Sequence, residues 1–258
     1  MPRFSIHRPE DAASGEFPEL PGITSSGEIR SRGLVVNEIC PLHLWEHALG
    51  SGARLSIQKS EVDHTFFVTS GSVLVNGKVV IPQSAVVVEH GASMELQVPG
   101  PPATILHWRR PESSPQRPAR EGGQVQVVGP EGLYEFKPER AVRIWADSAS
   151  PTGETWLHCS RLFGHGSAEE PHYHTADEVI YILGGSAVIG RQELGPGTAV
   201  AIDAYTTYKF QAGDHGLQFL NFSASEPGYA PARRGGVDIP PIKNIELVKD
   251  FIVRRRAD

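Results

Sequence analysis

Cysteine is nearly missing from this chain of 258 residues. Only Cys40 and Cys159 occur, far apart and in no metal-binding spacing. That excludes a disulfide-stapled framework and a zinc ribbon, and it makes a reduced, cytoplasmic compartment the expectation. Long apolar runs are missing too: no stretch approaches the roughly 18 residues of a membrane helix. The opening "MPRFSIHRPEDAASGEF" has no apolar segment of the signal-peptide kind, so no membrane partner is expected. Positive charge is in deficit, with 24 Lys and Arg against 30 Asp and Glu for a net charge of −6. Neither half carries a long basic run, and the terminal "VRRR" (253–256) reads as a solvated tail. A nucleic-acid partner is therefore not expected. Helical periodicity is scarce as well, showing only over "IELVKDFIVRR", 245–255.

What the chain does have is glycine (27) and proline (21), with 39% apolar residues. The apolar share suffices for a packed core, the length allows one large domain or two small ones, and the turn formers favour many short strands. Strand-like runs recur at 33–39, 53–58, 65–81, 84–90 and 103–109. They resume at 155–163, 178–190, 197–203, 207–211 and 217–223. Between the two sets lies "PESSPQRPAREGG" (111–123), which reads as an exposed linker. The halves can be laid on each other without a gap at an offset of 114 residues. Asp177 then falls on Asp63, Gly185 on Gly71, Ser186 on Ser72, Pro196 on Pro82 and Leu220 on Leu106. A duplicated β-domain is the expected architecture, with domains at 1–115 and 116–258.

The densest chemistry lies in "PHYHTADE", 171–178. Alternate residues of a strand point to one face, so His172 and His174 project together. Glu178, an even number of residues on, joins them if the strand stays regular. Two imidazoles and a carboxylate aimed at one point are a donor set for a divalent transition metal with coordination positions left open. Iron(II), manganese, nickel, cobalt and zinc all suit it; calcium and magnesium prefer oxygen ligands.

The segment "HYHTADEVIYILGG" resembles the first motif of the cupin superfamily, and "LGPGTAVAIDAYTTYKF" resembles the second. The resemblance covers most of 155–223 and, more faintly, 53–109. It implies an all-β fold of two tandem jelly-roll barrels, a bicupin, with little helix. It also implies that His172, His174 and Glu178 bind a metal, iron(II) being favoured, with a fourth ligand from the second motif. The residue at that fourth place is Tyr208 rather than histidine. A weak ligand, an acid/base or hydrogen-bond donor, and a barrel-filling side chain all remain open for it. His215 is a less favoured substitute.

At the same offset the upstream copy has Gln58, Ser60, His64 and Met94 where the downstream copy has His172, His174, Glu178 and Tyr208. Only His64 coordinates well, so this barrel is expected to lack a metal, with His90 and His107 as a remote alternative. Among softer candidates, Arg161 could hold a substrate carboxylate bidentately or stand in solvent, and Cys159 is expected to pack. His158 has the opposite parity to Cys159, so the two cannot both point inward. Gln218 and Asn221 are weak candidates for lining the pocket.

The resemblance implies a metal-dependent enzyme acting on a small organic substrate, with Tyr208 and Arg161 as the catalytic candidates; dioxygenase or oxidase chemistry is favoured because two histidines and a carboxylate with open positions suit iron(II). A hydrolase, isomerase or lyase, as in ureidoglycine aminohydrolases, is the alternative, together with a non-catalytic ligand-binding cupin. A barrel sheet can extend across a subunit boundary, which leaves a homodimer as the expected assembly.

Overall fold

Positive φ at Asn76 (47°) and Gly77 (79°) closes a two-residue turn between the strands Val73–Val75 and Lys78–Val80, with Val75 facing Lys78 across it. An Asn-Gly pair adopts this left-handed conformation at little cost, and its twist matches that of the flanking strands. Turn chemistry of this kind gives the chain its short strands. The computed structural model describes residues 4–36, 40–59, 61–110, 123–130, 140–146, 155–164, 170–225 and 227–231. Apart from 3-10 conformation at Pro9–Asp11 and at Pro130, the regular elements among these residues are all strands, paired antiparallel throughout. No helix among them is long and apolar enough to cross a membrane. The expected linker at 111–123, except for its last residue, and the helical pattern at 245–255 lie outside the described residues.

The chain divides into two units. One comprises Ala12–Gly132 with Ser150–Thr155; the other comprises Met1–Asp11, Leu133–Ala149 and Trp156–Asp258. The expected boundary at 115/116 is displaced at both ends. The strand Phe4–His7 pairs with Ala199–Ile202 of the downstream unit, and Val125–Val128 pairs with Ala85–Val88 of the upstream unit. Neither segment carries a marked apolar run, because each adds an edge to a sheet whose core is supplied by others.

In the upstream unit a seven-stranded sheet runs Val125–Val128, Ala85–Val88, His64–Ser70, Ala103–Arg109, His43–Leu49, Ile29–Val35, Ser14–Gly15. A five-stranded sheet runs Ile23–Ser26, Arg54–Ile57, Met94–Gln97, Val73–Val75, Lys78–Val80. Leu55, Phe66, Val68, Val86, Met94, Leu96 and Ile105 belong to one buried cluster. In the downstream unit the sheet runs Phe4–His7, Ala199–Ile202, Glu178–Ile189, Gln211–Ser223, Trp156–Leu162, Arg140–Ala146, and His172–His174 pairs separately with Tyr229–Pro231. Ile180, Ile182, Val200, Ile202, Phe210 and Phe219 belong to its core and help line a small apolar cavity.

Bonds recur at the offset of 114. Val68 N–H donates to Ser84 O and Gln83 N–H to Val68 O; Ile182 N–H donates to Thr198 O and Gly197 N–H to Ile182 O. Asp63 accepts from the His90 amide at 2.7 Å, and Asp177 from the Ala204 amide at 2.8 Å. Gly71 (φ 71°) and Gly185 (φ 68°) share a left-handed conformation, and a Cβ there falls 2.5 Å from Pro102 O or 2.1 Å from Gly216 O. Backbone strain and overlap together predict that Gly185→Ala lowers stability by about 2–4 kcal/mol. Urea unfolding measures this, and a variant matching the parent chain contradicts the account.

Candidate functional site

Glu178 opens the strand Glu178–Ile189 opposite Ile202, and it shares parity with the core residues Ile180 and Ile182. Its carboxylate therefore starts on the inner face. The residue before it, Asp177, is pinned by the Ala204 amide, which fixes where the strand begins. His172 and His174 occupy a three-residue strand on the other side of a short turn. His172 and Tyr208 exchange both backbone hydrogen bonds, at 3.1 and 3.0 Å, and directly paired residues carry their side chains on one face. The two rings lie 4.5 Å apart. Tyr205, in the left-handed region at φ 62°, turns the chain so that its amide donates to the His174 carbonyl at 2.7 Å.

The donor atoms are oriented as well as gathered. His172 Nδ1 donates to the Glu170 carbonyl at 2.7 Å, which leaves the Nε2 lone pair for another partner, as in metal-ligating histidines. The His172 and His174 rings stand perpendicular, 5.1 Å apart. His174 Nε2 lies 3.8 Å from Glu178 Oε2. Asn221 Nδ2 donates to that same oxygen at 2.5 Å, and both residues are buried.

In its chemistry this donor set fits a divalent transition metal. In its spacing it is looser than a filled site. Bonds of about 2.0–2.2 Å place neighbouring ligand atoms about 3 Å apart, and among the described residues no group of three or more His, Cys, Asp or Glu is drawn tightly enough to hold an ion. Contraction of the His174–Glu178 pair by about 1 Å brings it into that range. Tyr208 stacks on Phe210 with ring centroids 6.0 Å apart and belongs to the apolar cluster. Its ring lies 6.3 Å from that of His174.

The register also sorts the softer candidates. His158 pairs with Asn221 and Asn221 with Ile180, so the three share the inner face. Trp156 Nε1–H donates to His158 Nδ1 at 2.9 Å, which leaves the proton of the neutral ring on Nε2. Parity had allowed only one of His158 and Cys159 to face inward, and it is His158. Cys159 is buried on the other face, accepting a weak bond from Gln218 Nε2 at 3.6 Å, and burial pushes its thiol up to about 11. Arg161 does not join the cluster: it is exposed on the face opposite His158 and lies 5.1 Å over the Phe163 ring. His215 is exposed within Gln211–Ser223 and is also apart.

The upstream unit holds a different cluster. His47 Nδ1 is hydrogen-bonded to Ser31 Oγ (2.8 Å), His47 Nε2 to His107 Nδ1 (3.3 Å) and His107 Nε2 to His64 Nδ1 (2.9 Å). All three imidazoles are fully buried. His47 was not expected here. Its strand, His43–Leu49, has no alternating apolar run, and only the fold brings it beside His107. His90 stays outside the chain of rings.

Three comparisons bear on these geometries. No family model matches the chain, and no curated protein does. Solved structures match over nearly its full length. One is the Ylba protein of Escherichia coli, with TM-score 0.65, 13% identity, and coverage of 92% of this chain and 93% of that one. A candidate dioxygenase of Nostoc punctiforme gives 0.68 at 12% identity, covering 93% and 88%. Oxalate decarboxylase of Bacillus subtilis gives 0.62 at 14%, covering 84% and 80%. At these identities the likeness carries the all-β jelly-roll architecture and leaves the chemistry to the site residues.

The buried histidines of the upstream unit set a pH dependence. Burial lowers His47 and His64 from 6.5 to about 3, and His107 well below its usual value. The unfolded chain thus binds protons below pH 6.5 that the fold does not. Stability is complete above that pH and falls as the solution is acidified toward 3, by about 1.4 kcal/mol per pH unit for each imidazole. Urea midpoints between pH 7 and 4 test this, with a shallower slope expected for His47→Asn. Identical slopes contradict it.

Proposed function

We propose that the chain is a two-domain cupin metalloenzyme. Its downstream unit holds a divalent transition metal, iron(II) foremost, on His172, His174 and Glu178, and acts on a small oxygen- or carboxylate-bearing substrate. The observation that carries this reading is the gathering of two imidazoles and a carboxylate at one end of an otherwise apolar interior, with His172 Nδ1 already committed to a carbonyl. A metal held there supplies Lewis acidity and open positions for substrate or dioxygen.

The chain's own residues do the rest. Asn221 holds the Glu178 carboxylate by donating to Oε2. Tyr208, opposite His172, offers a hydroxyl as donor or acid. Ile180, Ile182, Val200 and Phe219 close the space below against water. Oxidase or dioxygenase chemistry is the favoured reaction class, in keeping with the likeness to a candidate dioxygenase. A lyase acting on a small carboxylate is the second reading, favoured by the likeness to oxalate decarboxylase. The proposal carries with it a cytoplasmic setting, in keeping with two buried free cysteines, and a homodimer, which light scattering reads directly.

Metal analysis of the purified protein tests the centre. Wild type is expected to carry a transition metal near stoichiometry, and His174→Ala to lose most of it; equal contents in the two remove the ligand assignment. In oxygen-electrode screens with catechols, diketones and small carboxylates, Tyr208→Phe is expected to keep the metal while turnover falls about 10²-fold. Full turnover in that variant assigns Tyr208 to packing alone.

A further inference from the structure

We propose that the upstream unit carries a second binding site, for a small carboxylate-type anion, built on Arg109 and His64. One of its residues, His64, takes the place of the candidate ligand Glu178. At the offset of 114, His64 stands for Glu178, His107 for Asn221 and Arg109 for Ser223. The hydrogen-bonded pair is kept in both units: Asn221 to Glu178 at 2.5 Å, and His107 to His64 at 2.9 Å. The charge is not kept. A carboxylate suited to a cation is replaced by an imidazole beside a guanidinium, so the preferred guest changes sign.

The residues meet at the ends of three neighbouring strands. Arg109 is the last residue of Ala103–Arg109, while His64 and His43 are the first of theirs, and Arg109 pairs across the sheet with both. Cross-strand partners have Cβ atoms about 4.5–5.5 Å apart on one face, so the Arg109 side chain shares a face with both imidazoles, and its charge acts on each. Arg109 is only 5% exposed, and arginine keeps its charge at that depth. His64 Nε2 is buried with no hydrogen-bond partner among the described residues. Leaving such an atom unsatisfied costs about 1–3 kcal/mol, a cost that an anion accepting from an Nε2–H removes.

The chain of rings supplies that N–H without charging any ring. Ser31 and the three neutral imidazoles have two self-consistent proton arrangements. In one, every ring is protonated on Nδ1, His47 donates to Ser31 Oγ, and His64 Nε2 presents a lone pair. In the other, Ser31 donates to His47 Nδ1, every ring is protonated on Nε2, and His64 Nε2–H points to the guest. The neighbouring guanidinium favours the lone pair while the site is empty; an anion beside Arg109 reverses the preference. Going from the first arrangement to the second takes up one proton from water at His64 Nε2, passes one along each inter-residue hydrogen bond, and returns the former Ser31 hydroxyl proton to water. Protons balance, and no imidazolium is formed.

The test uses full-length protein labelled with ¹⁵N-histidine and treated with EDTA, so its outcome is separate from that of the downstream metal centre. Sodium formate is titrated at pH 7 against sodium chloride at equal ionic strength, and long-range ¹H–¹⁵N spectra read the protonated nitrogen of each ring. Formate is expected to move His64, His107 and His47 together from the Nδ1–H to the Nε2–H form, saturably. Arg109→Gln is expected to weaken the response at least about tenfold, the loss of one charge-assisted hydrogen bond. If that variant does not fold, His64→Gln is expected to bind formate correspondingly more weakly by calorimetry. Rings indifferent to formate, an equal response to chloride, or undiminished binding in the folded variant overturns the proposal.

Discussion

The register of Gln211–Ser223 between its two neighbours governs the downstream site. Val179 is set against Phe222 on one side, and His158 against Asn221 on the other. From those pairings follow the inward aim of Asn221, the hydrogen bond it gives Glu178, and the exclusion of Cys159 and Arg161 from the interior. A one-residue slip reverses every side chain of the strand. It would place Leu220 inside and Asn221 outside, and leave Glu178 without its donor. The register is held mainly by Leu217 and Phe219, which share the inner face with Asn221 and bury themselves in the core. The polar geometry is thus a by-product of apolar burial: the part of the strand that makes no chemistry decides where the chemistry lies.

Much of this was legible beforehand, because a strand states its two faces in alternate residues. The His172, His174, Glu178 grouping, the strand runs around it and the place of Tyr208 could all be read from spacing and motif resemblance. Parity also narrowed His158 and Cys159 to one inward residue. It could not choose between them, since that choice depends on which neighbour each strand pairs with. Arg161 illustrates the same gap, its outward aim being fixed by the pairing with Gln218 and Ala141. The edge strand Phe4–His7 was illegible for a different reason. A four-residue segment that completes a sheet built from residues far downstream leaves no local pattern, and contacts across nearly the whole chain cannot be read from a window of ten residues.

His47 and His107 were hidden by a further effect. Each is an isolated histidine in its own strand, and an isolated strand histidine is most often a satisfied core or surface group. Their meaning comes from being brought together, where each satisfies the other. Burying one imidazole without a partner is costly; burying a connected series is far less so, because low dielectric strengthens each bond and every inner nitrogen is matched. The series is also why the rings stay neutral. Desolvation and the Arg109 charge both act against a proton, and each ring in turn opposes a charge on His107.

The two units therefore solve one structural problem with opposite electrostatics. In each, a strand begins immediately after an aspartate that captures a backbone amide, and its first residue is a buried polar group bonded to a partner on the neighbouring strand. That arrangement costs stability unless the buried group gains something, so a neutral apolar pair is the expected outcome of selection for folding alone. Neither unit has taken it. Downstream the retained group is an acid that accepts from the Asn221 amide. Upstream it is a base backed by a hydrogen-bonded wire beside a permanent positive charge, an environment that disfavours any cation. Packing alone does not account for three fully buried imidazoles hydrogen-bonded to one another. Those require that the polar character of the position be worth its burial.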